Sequence, residues 1–127
     1  MASRLVTKRY DRALAPAGLS TNAYSILARL DGEGPLSVGS LAARLAMDRS
    51  TLSREVEPLI SAGLVSAAHD DSDRRRRILD LSSEGAARVS GARPLWAQAQ
   101  LELAAEFGSA RVDGLVGELR ALVGAGE

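Results

Sequence analysis

Residues 41–65, LAARLAMDRSTLSREVEPLISAGLV, limit the fold of this chain more than any other segment. Apolar side chains recur there at helical spacing on both sides of a short turn, and Asp48 can cap the helix that begins after it. Gly63 can end that helix in the left-handed conformation. Two helices joined by a turn of three or four residues form a helix-turn-helix, and small Ala42 and Ala46 favour close approach of the two helices.

A β-hairpin is predicted directly behind this motif. Residues 64–69 have the composition of a strand, residues 70–76 are too polar for one and form a turn, and residues 78–81 supply the return strand. The charged tip carries four consecutive arginines: Arg74, Arg75, Arg76 and Arg77. We call this hairpin, residues 64–81, the wing, because it is expected to project beside the second helix of the motif.

Helices are predicted on both sides of this unit. Two precede it, one over residues 2–15 and one from the N-cap Ser20 through residue 30. A long helix over residues 83–107 follows the N-cap Ser82. The last helix carries the most regular apolar stripe of the chain: Val112, Leu115, Val116, Leu119, Leu122 and Val123.

The order of these elements predicts a mainly α fold with a small β-hairpin wing, a winged helix-turn-helix with a helical dimerisation region. Ser37 is a further N-cap, at the start of the first helix of the helix-turn-helix. Residues 20–82 form the winged lobe, and residues 1–19 and 83–127 form the dimerisation region of a single domain. The long helix cannot be covered by one small domain and the last apolar stripe needs burial, so a homodimer is expected.

The chain contains no cysteine, which excludes disulfides, thiolate metal sites and thiol oxidation as a switch. Its net charge is zero, so affinity for nucleic acid would require positive charge gathered on one face. No apolar run approaches the ~20 residues that span a membrane. The N-terminal segment lacks the apolar core of a signal peptide, so a cytoplasmic protein without a membrane partner is expected.

The exposed N-terminal end of the second helix carries arginines and short hydroxyls that suit a DNA groove: Arg49, Ser50, Thr51, Ser53 and Arg54. Arginine can bind guanine through two hydrogen bonds, and serine and threonine can donate to bases or phosphates. The wing arginines can reach phosphates or a narrow minor groove. The plainer alternative is a solvated polar helix face, with the arginines paired to Asp70, Asp71 and Asp73.

The segments DRSTLSREVEPLISAGLV and DSDRRRRILDLSSEG together resemble the MarR family of transcriptional regulators. In that family a recognition helix ends at a glycine, a strand follows, and an Asp-x-Arg wing leads to a Leu-Ser/Thr-x-x-Gly helix start. The matching positions here are Gly63, Asp73, Arg75, Leu81, Ser82 and Gly85. The upstream segment YDRALAPAGLSTNAYSIL also resembles the first two helices of the family.

The resemblance implies a repressor that occupies a palindrome in double-stranded DNA and is released by a ligand or by oxidation. It implies that Arg75 enters the minor groove and that Asp73 holds the wing by pairing with a nearby arginine. It also implies that the first, fifth and sixth helices dimerise. The glutamine that the family often carries three residues after Ser20 is replaced here by Ala23, so a capping box cannot form.

Three aromatic residues suit a small phenolic or similar aromatic effector: Tyr10, Tyr24 and Trp96. They are predicted on the helices that flank the effector crevice in the resembling family. The plainer explanation is packing in the core and the dimer interface. His69 is the only histidine, and without cysteine it cannot complete a zinc site, so neither a metal nor a cofactor is expected.

The sequence therefore predicts a sequence-specific, double-stranded DNA-binding transcriptional regulator that works as a homodimer. An enzyme is not expected, because the chain has no glycine-rich phosphate loop, no convincing nucleophile–histidine–acid set and no carboxylate pair in an apolar setting. The alternative is a winged-helix protein–protein interaction module without DNA binding. Arginines on both the helix and the wing argue against that alternative.

Overall fold

The computed structural model describes residues 4–107, and the last predicted helix lies outside them. The elements, in chain order, are α1 (Arg4–Leu14), a 3₁₀ turn (Ala15–Ala17), α2 (Thr21–Glu33), β1 (Leu36–Ser37), α3 (Val38–Arg44), α4 (Arg49–Ser61), β2 (Val65–His69), β3 (Arg77–Leu81) and α5 (Ser83–Phe107). This order confirms the predicted mainly helical fold with a helix-turn-helix, formed by α3 and α4, and a β-hairpin wing.

The N-caps predicted from the sequence all form. The hydroxyls of Ser20, Ser37 and Ser82 and the carboxylate of Asp48 each accept a hydrogen bond from the backbone N–H three residues later, at 2.7–3.1 Å. Ser20 caps α2 through the N–H of Ala23, so the cap survives without the family's glutamine. Because these bonds satisfy otherwise unpaired N–H groups, each fixes where a helix begins.

The helices α3 and α4 end in the same way, through a residue with positive φ. At the end of α4 this residue is Gly63, with φ 78°, and the next N–H returns to the carbonyl of Leu59 at 2.9 Å. At the end of α3 it is Ala46, with φ 55°, and the N–H of Met47 returns to the carbonyl of Ala42 at 2.9 Å. Ala42 is buried as expected, but Ala46 is exposed, so its predicted role in close helix packing was wrong.

Two features of the winged lobe differ from the sequence prediction. The helix α2 continues to Glu33, past the predicted end, because Gly34 adopts φ 83° and its N–H closes the helix on the carbonyl of Leu30. A short strand, β1, was not predicted and pairs antiparallel with β3, giving the sheet order β1-β3-β2. Since β1 runs directly into α3, this pairing attaches the helix-turn-helix to the wing.

Two groups of buried side chains form the core. The larger group lies beneath α2, α3, α4, the sheet and the first half of α5; its fully buried members include Ile26, Leu27, Leu41, Leu52, Val56, Leu79 and Val89. The smaller group joins α1 to the second half of α5 through Val6, Tyr10, Ala99 and Leu103. Trp96 packs against both groups, so α5 links the winged lobe to α1.

The end of α4, the first strand of the wing and the start of α5 meet at one junction. The hydroxyl of Ser82 donates to the carbonyl of Gly63 at 2.6 Å, and its backbone N–H donates to the carbonyl of Leu64 at 3.0 Å. A Cβ on Gly85 would lie only 2.2 Å from the carbonyl oxygen of Leu64, a distance that real Cβ atoms do not show. Glycine at position 85 is therefore what allows α5 to pack against the wing.

Candidate nucleic-acid interface

The N-terminal turn of α4 is organised around the carboxylate of Asp48. One oxygen accepts from the backbone N–H of Thr51 at 2.7 Å and from the hydroxyl of Ser50 at 2.9 Å. The Thr51 N–H is the main cause that lowers the pKa of Asp48, and the hydroxyls of Thr51 and Ser50 act in the same direction. The cap is therefore anionic at neutral pH and holds this turn in one conformation.

The side chains predicted to read DNA are not equally accessible on α4. Arg49, Ser50 and Arg54 are exposed, whereas Thr51 and Ser53 are half-buried. The guanidinium of Arg54 lies 3.4 Å from the Thr51 hydroxyl, at the edge of hydrogen-bonding distance. The N-terminal turn thus presents two arginines and a serine hydroxyl on the surface, beside the partial positive charge of the helix end.

The wing turn is held by its own acidic residues. Asp73 accepts from the backbone N–H of Arg75 at 3.0 Å and from its guanidinium at 3.2 Å. Asp70 faces Arg76 at 3.4 Å, and its pKa is lowered, first by the backbone N–H of Ser72 and less by Arg76. The side chain of Arg75 nevertheless remains 92% exposed. Intramolecular pairing and an accessible arginine therefore coexist in this turn.

The remaining wing arginines, Arg77 and Arg74, differ in whether they form an ion pair within the protein. Arg77, at the start of β3, lies 3.4 Å from Glu57 on α4, which ties the wing to the outer side of the second helix of the motif. Sequence reasoning missed this pair, because nothing local marks a contact between residues 20 positions apart. Arg74 makes no ion pair with any of residues 4–107 and is exposed, so its charge is free to meet an external anion.

The three aromatic residues come together as one stack. The ring of Trp96 lies between Tyr10 and Tyr24, with centroid distances of 3.9 and 5.1 Å. Burial raises the pKa of both tyrosines, and the nearby Gln100 opposes the shift at Tyr10. Within residues 4–107 no hydrogen bond of normal geometry reaches the buried Tyr10 hydroxyl. The stack is part of the packing between α1, α2 and α5.

An open groove of about 720 Å³ lies between the 3₁₀ turn and α5. Its walls are Pro16–Gly18 on one side and Glu84, Arg88 and Leu95 on the other, and none of the three stacked aromatic residues lines it. The guanidinium of Arg88 donates to the carbonyl of Ala17 at 3.2 Å, which joins the two sides of the groove.

The described part of the chain contains neither a cluster of metal ligands nor a membrane-spanning helix. Residues 4–107 contain no group of three or more His, Cys, Asp or Glu side chains placed to hold a metal ion. None of the helices between these residues combines the length and apolar character needed to cross a membrane.

The comparisons with known proteins agree with this geometry. The family model described as MarR family matches residues 17–76, from the 3₁₀ turn to the end of the wing turn. The Mycobacterium tuberculosis transcriptional regulator MosR, solved in complex with DNA, is 33% identical, with 91% of this chain and 86% of that chain covered and a TM-score of 0.75. The chain belongs to the MarR family.

Other solved structures extend the likeness over almost the whole length. A probable transcriptional regulator from Pseudomonas aeruginosa is 28% identical, with 94% and 92% of the two chains covered and a TM-score of 0.77. The transcriptional repressor CouR of Rhodococcus jostii, bound to a 23-mer DNA duplex, is 26% identical, with 92% and 83% covered and a TM-score of 0.79. No curated protein matches the sequence significantly.

This MarR-family protein is thus a DNA-binding transcription regulator with a winged-helix fold. In the family's terms, α4 is the recognition helix and the hairpin of β2 and β3 is the wing. The structure brings the predicted recognition-helix residues and wing arginines into one lobe, and it separates both from the aromatic stack, which lies between that lobe and α1.

Proposed function

We propose that this regulator is a sequence-specific repressor that occupies a palindromic operator in duplex DNA as a homodimer. The observation that carries the proposal is that the capped N-terminus of α4 and the arginine-bearing turn of the wing belong to one packed lobe, tied by Arg77 and Glu57. In a symmetric dimer, two such lobes would read half-sites about one helical turn, ~34 Å, apart.

The contacts of α4 with bases and phosphates would come from five residues: Arg49, Ser50, Thr51, Ser53 and Arg54. The N-terminus of a recognition helix enters the major groove, where arginine and hydroxyl side chains discriminate base edges. The bond from Ser50 to Asp48 leaves the lone pairs of the serine hydroxyl free to accept from a base or a water molecule.

The wing would supply the remaining contacts, through Arg74, Arg75, Arg76 and Arg77. Arg75 is proposed to enter the minor groove, with Asp73 holding the turn that presents it. An exposed ion pair contributes only about 0–1 kcal/mol, so the guanidinium of Arg75 can exchange its carboxylate for DNA at little cost. The backbone N–H of Arg75 keeps its own bond to Asp73 when the side chain moves, which preserves the turn.

Dimerisation would use α1, α5 and the chain beyond residue 107. Leu5 on α1 and Leu101 on α5 are 63% and 65% exposed, although both flank the apolar layer that joins these two helices. Large apolar side chains on the outside of such a layer favour burial against a second copy of the chain. The 25 residues of α5 extend over about 37 Å at 1.5 Å per residue, well beyond the winged lobe.

Selection from random duplex DNA tests the proposed function. We expect the full chain to enrich a palindrome whose half-sites are centred about 10 base pairs apart, and binding to weaken steeply as salt rises. Sedimentation of the free protein at micromolar concentration should show a dimer. Failure to enrich any sequence would instead favour a protein–protein interaction module. A stable monomer would contradict binding to a palindrome as a homodimer.

Replacement of Arg75 by alanine tests the wing. The variant should lose about 1–3 kcal/mol of binding free energy on the selected duplex, as expected for one groove contact. Its unfolding temperature should be unchanged, because the side chain is exposed. Arg12→Ala, which removes the same charge from an exposed position on α1, is the matched control, and sedimentation must show that it remains a dimer like the parent. Equal binding by the Arg75→Ala protein and its parent would exclude the wing assignment.

We also propose that a small aromatic ligand releases the protein from DNA by acting near Tyr10, Tyr24 and Trp96. This stack lies where α5 passes from the winged lobe to α1, so a ligand that separates the rings would alter the placement of the lobe. The transcriptional repressor CouR, whose structure is similar to that of this chain, has also been solved with p-coumaroyl-CoA bound. A coupling of about 1–3 kcal/mol between ligand and DNA would be typical.

Fluorescence of Trp96 tests the ligand, because it is the only tryptophan of the chain. A panel of benzoic and cinnamic acids should contain compounds that release the labelled duplex and change the tryptophan emission over the same concentration range. Tyr24→Leu should abolish this coupling while leaving DNA binding intact. If peroxide releases the protein and no aromatic acid does, the ligand model is wrong.

A further inference from the structure

Gly39 and Arg49 are in direct contact across the turn of the helix-turn-helix. Gly39 is the second residue of α3 and Arg49 is the first residue of α4. A Cβ built on Gly39 would lie 2.5 Å from Nη2, 3.0 Å from Cζ and 3.2 Å from Nε of Arg49. The guanidinium therefore rests against the backbone of α3 in the space that any other side chain at position 39 would fill.

The backbone does not explain glycine at this position. Gly34 and Gly63 adopt φ 83° and 78°, which other residues rarely do, whereas Gly39 has an ordinary helical conformation. Glycine disfavours a helix relative to alanine. By comparison, Gly32 in the last turn of α2 has no atom within 4 Å of its Cβ position, so it has no packing role. What distinguishes Gly39 is the guanidinium of Arg49.

Arg49 contributes little to the folded protein by itself. It makes no hydrogen bond or ion pair with any of residues 4–107, and it is exposed. A positive charge on the first residue of a helix also opposes the helix dipole. The side chain of Arg49 packs against α3 and has no anionic partner among residues 4–107, so its charge is available to an external anion.

We propose that Gly39 is a positioning residue that directs Arg49 to a backbone phosphate of duplex DNA instead of a base edge. This inference rests on the proposed DNA binding and refines it. In a helix-turn-helix the first helix crosses the phosphate backbone, while the N-terminus of the second reads bases. Because the guanidinium of Arg49 rests on α3, it lies on the backbone side of the motif, and Ser50 and Arg54 remain for the groove.

The test compares Gly39→Ala with Gly32→Ala, a matched control that adds the same methyl group to a helix where nothing opposes it. Both should keep or raise the unfolding temperature, because at position 39 only the flexible end of a side chain must move. Gly39→Ala alone should weaken DNA binding, by about fivefold to tenfold, since the displaced guanidinium loses one charge-assisted hydrogen bond.

Two further readouts separate positioning from a general structural effect. Binding is measured on the selected operator and on a duplex of the same length and scrambled sequence, from about 50 to 200 mM salt. Binding to both duplexes should weaken equally, and the negative slope of log K against log salt should become shallower by about 0.9, as for one lost phosphate contact. In an Arg49→Ala background, Gly39→Ala should change nothing more.

The outcomes that overturn the inference are distinct from those that overturn DNA binding. If the parent protein binds neither duplex, the proposed function fails. If the parent binds and Gly39→Ala binds equally well, or loses affinity for the operator only, Arg49 is not placed on a phosphate by Gly39. A loss that persists in the Arg49→Ala background, or a lower unfolding temperature than Gly32→Ala shows, assigns Gly39 a structural role instead.

Discussion

The contact of Ser82 and Gly85 with the carbonyls of Gly63 and Leu64 is the constraint on which the rest of the structure depends. At this single point the recognition helix has ended, the wing has begun and α5 starts. The Ser82 side chain serves two elements, because its oxygen caps α5 through the N–H of Gly85 while its proton bonds the end of α4. A change in the direction of α5 would therefore displace both the end of α4 and the start of the wing.

Caps and ion pairs order the segments that carry the surface arginines. A charge contributes to DNA affinity only if the protein does not lose much conformational entropy to place it. The turn of the wing is ordered by Asp70 and Asp73, its base is tied to α4 by Arg77 and Glu57, and α4 is capped by Asp48. A chain with no net charge can thus carry ordered positive charge on α4 and the wing.

The sequence predicted well those features that are encoded locally. Caps at Ser20, Ser37, Asp48 and Ser82 each use a backbone group three residues away, and the end of α4 uses a glycine at the left-handed position. These bonds need no knowledge of the tertiary fold. The packing role predicted for Ala46 was wrong, because its side chain is exposed; the residue instead adopts the left-handed conformation that glycine usually supplies, and the N–H of Met47 returns to the carbonyl of Ala42.

Features that depend on distant contacts could not be predicted in this way. The strand β1 has only two residues, and its partner Leu79 lies far along the chain from Leu36, so no local pattern marks it. The contact of Gly39 with Arg49 and the pair of Arg77 with Glu57 likewise arise from how helices and strands pack. The sequence predicts which residues would contact DNA, whereas packing decides how exposed each of them is and which neighbour it contacts.

Site-directed cleavage of DNA tests most directly the central claim that α4 and the wing engage one duplex together. The chain has no cysteine, so Ser50→Cys and Arg74→Cys each offer a single attachment point for a DNA-cleaving reagent. We expect the Ser50 conjugate to cut inside each half-site of the selected operator and the Arg74 conjugate to cut the flanking minor groove, both symmetrically about the dyad. Localised cutting from Ser50 with none from Arg74, or scattered cutting from both, would contradict the account.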